Sequence, residues 1–227
     1  MAFSLRLALT ASIMALLAAA SADAEVGNVR LVKIWAYSKA ASTADWNDLY
    51  RRDPVELNER LRTPDGGALH VRFVDDTDLR LGSAAEILID RFVFDPSNNA
   101  GALQAEMGKG VFRFISGRMA KDGVRLGTPS AFIGIRGTDF IVDVRDDGST
   151  VVAVLEGEVE ITPRAGGPAV AIAANQTALV SLNATAVQIG VAAVTVDAGL
   201  DSDAGIDADS GSGGAGGQGG GDTGGND

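Results

Sequence analysis

From residue 25 to residue 196 the chain alternates apolar and polar positions in short runs, broken roughly every ten residues by Gly, Asp, Asn or Pro, the spacing of successive short strands. In "ALHVRFV" the alternation sets Leu69, Val71 and Phe73 on one face and His70, Arg72 and Val74 on the other. "EILIDRFVF", "GVFRFI", "DFIVDV", "STVVAVLEG", "EVEIT", "AVAIAA" and "TALVSL" continue the pattern. Each run is too short and too β-branched for a helix, so the expected class is all-β.

The turns point the same way. Asp147-Gly148 is a pair favoured in two-residue type I′ hairpins. A turn there sets Val144 opposite Val151, Val142 opposite Ala153, Phe140 opposite Leu155 and Asp139 opposite Glu156. Before residue 65 the pattern divides. In "ADWNDLYRRDPVELNERLRT", Asp53-Pro54 suits a helix start and Leu57 and Leu61 have helical spacing, yet the stretch is short and strand patterning follows directly. Helix and strand both stand on pattern alone.

The two ends differ from the middle. MAFSLRLALTASIMALLAAASADA has one early cation, Arg6, an apolar run from Leu7 to Ala20 and the close Ala22-Asp23-Ala24. This is the layout of a secretory signal peptide over residues 1–24 with cleavage after Ala24. The alternative, an uncleaved anchor, has an apolar core of roughly 14 residues against the ~20 a span needs. The expected location is therefore the periplasm or the extracellular space. Residues 197–227 read as a disordered acidic Gly/Asp-rich tail. Seven Asp and no basic residue lie there, so most of the formal net charge of −11 belongs to the tail. Asp201, Asp203, Gly205, Asp207 and Asp209 resemble an oxygen-rich calcium loop but lack its distal bidentate Glu and flanking helices, so calcium on the tail is the lesser reading beside a solvated spacer.

Candidate chemistry is sparse. The chain has no cysteine, which excludes thiol catalysis, thiolate zinc sites and disulfides. His70 is the single histidine and reads as a solvated strand residue. Glu156, Glu158 and Glu160 alternate with Val159 and Ile161 and read as one solvated strand face, and aromatics at 5% do not supply a sugar-binding cleft. No Lys/Arg cluster is interleaved with aromatics, so nucleic acid is not an expected partner. No cofactor, metal or enzyme activity is expected. "IGIRGTDF" is the exception that needs a reason, since two glycines flank Ile135-Arg136 between strands, as at a bulge or corner. Arg136 is expected there to neutralise Asp139 and Glu156, with Arg136→Ala costing more stability than Arg72→Ala.

These residues carry a family resemblance. "VRLGTPSAFIGIRGTDFIVDV" followed by "TVVAVLEGEVEI" resembles the core of FecR-domain proteins. "LHVRFVDDTDLRLGSAAEILIDRFVFD" is similar to the upstream half of that domain, and "GVFRFISGRMAK" to the strand between. The likeness runs from about Val55 to Thr162 within a domain of residues 25–196. It implies a twisted, solenoid-like or sandwich-like stack of short strands and tips residues 55–63 toward strand. Iron-transport regulators of this family place a sensing domain in the periplasm and a cytoplasmic segment on a sigma factor. This sequence shows no cytoplasmic segment and no helix after the leader, so the expectation is an exported non-enzymatic binding or adaptor module with an unknown envelope protein as partner. The alternative is a surface or matrix component assembling through calcium on its tail. The expected structural or binding corner is Gly134, Arg136, Gly137, Thr138, Asp139, Phe140, Glu156 and Gly157.

Overall fold

The computed structural model describes residues 24–190 and Leu200. The expected leader and almost all of the tail lie outside these residues. The described chain is all-β, with one 3-10 turn at Lys121–Gly123 and no α-helix. Its strands are β1 (Glu25–Lys33), β2 (Tyr37–Ala40), β3 (Asn47–Asp48), β4 (Pro54–Glu56), β5 (Glu59–Arg62), β6 (Ala68–Phe73), β7 (Asp78–Leu81) and β8 (Glu86–Asp95). The long β9 (Ala100–Ile115) follows, then β10 (Val124–Gly127), β11 (Ala131–Ile135), β12 (Asp139–Val144) and β13 (Thr150–Glu156). The chain closes with β14 (Glu158–Pro163), β15 (Val170–Ala173), β16 (Thr177–Val180) and β17 (Gln188–Ile189). The stretch that pattern left open between helix and strand is strand, β4 and β5.

Pairing sorts the strands into two sheets that share β9. The first runs β4-β1-β6-β7-β9-β12-β13-β16-β17. The second runs β3-β2-β5-β8-β9-β10-β11-β14-β15. β9 passes between them near Lys109 and Gly110, its first part pairing with β8 and its last part with β12. Alternation then explains the core. Leu69, Val71, Leu79, Phe112, Phe114, Phe140, Val142 and Val152 from the first sheet meet Leu61, Ile87, Leu103, Leu126, Ile133, Val159 and Ile161 from the second in one cluster. From β10 onward successive hairpins alternate between the sheets, β10-β11 in the second, β12-β13 in the first and β14-β15 in the second.

Two sequence expectations need correction. The β12-β13 hairpin pairs Val144 with Thr150, Val142 with Val152 and Phe140 with Val154, one residue off the expected register. Arg145 N donates to Ser149 O at 2.9 Å, so the loop is the three residues Asp146–Gly148, with Gly148 in the left-handed position. The slip turns Leu155 out to 44% exposure, and a bulge between Asp139 and Phe140 restores the expected Asp139–Glu156 pairing. His70 is buried at 1% exposure instead of solvated. Its row on the outer face of the first sheet, through Arg80 and Arg113 to Ile141, is covered, and Ile141 and Val151 on that face are buried as well.

Candidate functional site

The Gly-Ile-Arg-Gly-Thr run is where the chain leaves one sheet for the other. β11 ends at Ile135 in the second sheet and β12 begins at Asp139 in the first. Gly137 makes the bend at φ +77°, a conformation costly for residues with a Cβ. The return crossing, from β13 to β14, bends at Gly157 with φ +80°. A Cβ on Gly157 would collide with the Gly137 carbonyl oxygen and lie 2.8 Å from Thr138 Cγ2. The two glycines therefore let two crossovers stack in contact. The end of β9 closes the joint, with Ser116 N donating to Thr138 O (3.0 Å) and Thr138 N donating to Ser116 Oγ (2.8 Å).

The expected residues divide between interior and surface here. Phe140 is buried and packs against Phe114 at 5.6 Å. Thr138 is buried, and its Oγ1 has no hydrogen-bond partner among the described residues. Asp139 is neutralised by Arg113, whose Nε and Nη2 donate to its two oxygens at 3.0 and 2.7 Å. Arg136, expected in that role, points outward and reaches Glu160 at 3.4 Å, its side chain 63% exposed. The correction has a physical reason: Asp139 pairs across the ladder with Ile115, so the arginine that can reach it along the same face is Arg113 of β9. Gly157 also breaks the expected acidic face, leaving Glu156 on the first sheet and Glu158 and Glu160 on the second.

Outside the corner, on the second sheet, lies an open groove of about 560 Å³ lined by Asp122, Val124, Gly134, Ile135, Arg136 and Glu160. Ladder register sets Arg125 and Glu160 on either side of Gly134. Next to them Phe132 carries two stacked guanidinium groups, Arg125 at 4.0 Å and Arg164 at 4.2 Å from the ring centroid. Arg164 is held by Glu106 (2.6 Å) and by the Thr128 carbonyl (2.8 Å). Gly134 differs from the corner glycines: its φ is ordinary, and an added Cβ would meet only Glu160 atoms at 3.8 Å or beyond. The fold does not require glycine at this strand position, where it weakens the strand. What the missing side chain leaves is a gap in the sheet surface between Arg136, Arg125 and Glu160. Sequence reading named Gly134 and Arg136 but not Phe132, Arg125, Arg164 or Glu160 as neighbours. The alternation in "AFIGI" was the available signal, since it puts Phe132 and Gly134 on one face.

The groove has cations, carboxylates and an aromatic ring but no paired nucleophile and base. Among the described residues no three His, Asp or Glu side chains cluster to hold a metal. Its surface suits contact with another polypeptide. Residues 59–160 match the FecR protein family. The matched stretch begins at β5, ends in β14 and contains the whole corner, so a FecR-like domain occupies the middle of the chain, less than half its length. Two crystal structures of a protein provisionally assigned as an anti-sigma factor, from Parabacteroides distasonis, are similar to this chain at 18% and 19% identity, with TM-scores of 0.46 and 0.45. Each comparison covers 57% of this chain and 58% of the other. No curated protein matches the chain.

Proposed function

We propose that the chain is an exported, non-enzymatic FecR-like module that binds an envelope protein through the groove at Gly134, as an adaptor in envelope signalling. Gly134 carries the reading. A β-branched residue there would strengthen β11 without a clash, and glycine instead keeps a partner-sized gap open beside Arg136, Glu160 and the doubly stacked Phe132. Arginine and aromatic side chains around a recess are the composition of protein-contact hot spots. Export rests on the leader-like residues 1–24. The match to the FecR family over residues 59–160 supports a protein-binding role over catalysis.

The test is site-specific photocrosslinking in the intact envelope, with the photoreactive residue at position 136 and, as control, at the exposed Val74. The expected result is one envelope protein crosslinked from position 136 and not from position 74. Equal products from both positions, or none from either, would overturn the assignment of the groove.

A further inference from the structure

Leu200 is fully buried, and its carbonyl accepts a 2.8 Å hydrogen bond from Arg80 Nη1. Arg80 pairs with His70 on β6, and His70 with Leu31 on β1, so the three share one row of the first sheet. At a strand spacing of about 4.8 Å, the Arg80 backbone lies about 10 Å from Leu31, and Leu200 sits at the tip of the Arg80 side chain.

Leu31 borders a second groove, of about 290 Å³, at the end of β1. Its other walls include Ile34, Trp35 and Tyr50, exposed by 60%, 50% and 58%. Ile34 has φ +66°, a strained conformation that a β-branched residue rarely adopts. A strained, exposed isoleucine contributes little to the core, which points to a contact as its use. Arg30 and Arg51 line the groove, no carboxylate does, and Lys33 adjoins it. Beyond the bonds from Val29 N to Asp53 O and from Arg52 N to Val29 O, no described strand pairs with Arg30–Lys33 on the side away from β6.

The nine residues after Leu200 read Asp-Ser-Asp-Ala-Gly-Ile-Asp-Ala-Asp, four carboxylates and one isoleucine with no cation. An extended chain covers about 20 Å between Leu200 and Ile206, about twice the two-strand separation of Arg80 and Leu31. We infer that residues 201–209 dock in this groove, with their aspartates toward Arg30 and Lys33 and Ile206 against Trp35 and Tyr50. The acidic tail is then a self-ligand, and an acidic apolar segment of another protein would have to displace it. This inference is independent of the groove at Gly134.

The test uses the full chain carrying Trp46→Phe, which leaves Trp35 as the reporter of the two tryptophans. Acrylamide quenching is compared for this parent, for Asp201, Asp203, Asp207 and Asp209 all changed to Asn, and for Arg30→Glu with Lys33→Glu. Both variants should show a severalfold higher quenching constant and a red-shifted emission at low salt. The parent should approach them in 1 M salt, where the screening length is about 3 Å. Equal quenching of parent and variants at low salt, with unchanged circular dichroism, would overturn the proposal. Protection that disappears on dilution would also overturn it, by assigning the groove to the tail of a second copy.

Discussion

Arg113 and Arg136 lie on either side of the sheet crossover, and their exposure separates their roles. The Arg113–Asp139 pair is four-fifths buried and bidentate, so Arg113→Ala leaves a carboxylate half-stripped of its partner and should cost about 2 kcal/mol. Arg136→Ala removes a surface pair and should cost at most about 0.5 kcal/mol. Thermal melts of the two variants would refute this ranking if Arg136→Ala were the lower. Ile34→Gly should leave the melting temperature unchanged or raise it, since relief of φ strain offsets the loss of a mostly exposed side chain. At Asp95 the Ser97 hydroxyl and amide donate to one carboxylate oxygen at 2.7 and 2.9 Å and hold its pKa below the usual value. The small stability that follows is present above the unfolded pKa and is lost as pH falls through the folded one. Ser97→Ala should therefore raise the Asp95 pKa toward the ordinary carboxylate value in an NMR titration.

At the scale of elements, the strands were legible because alternation and turn residues are local properties. "DDTDLRLG" shows this well: Thr77 N and Oγ1 both donate to the Asp75 carboxylate (3.1 and 2.7 Å), so the Asp and Thr between the two apolar runs close a hydrogen-bonded turn. Register was less legible. Asp147-Gly148 allowed a two-residue or a three-residue loop, and the choice moved the β12-β13 pairs from Phe140 to Val144 by one. Alternation also told which residues share a face but not which faces are covered, so His70 was misread as solvated. The crossover makes its own prediction. Gly157→Ala places a methyl against the Gly137 carbonyl in a left-handed conformation, and should lower the melting temperature sharply and speed amide exchange in β12 and β14.

For the whole molecule, all-β class followed from composition and periodicity, whereas the two-sheet architecture depended on pairings distant in sequence. β10 lies parallel to β9, and β12 and β7 flank the far half of β9, relations that no local pattern encodes. The site was legible in the same measure. Gly134, Arg136 and Gly137 stood out as an interruption of strand, but Glu160 and Phe132 join them only through the β11-β14 ladder. Three glycines in one short region then carry two different duties: Gly137 and Gly157 permit the crossing, and Gly134 leaves the surface open. The most direct measurement of that distinction is Gly134→Val, read by thermal melting and by capture of the envelope partner. The account predicts an unchanged or slightly higher melting temperature with capture lost. A melting temperature lowered by several degrees with capture intact would contradict it.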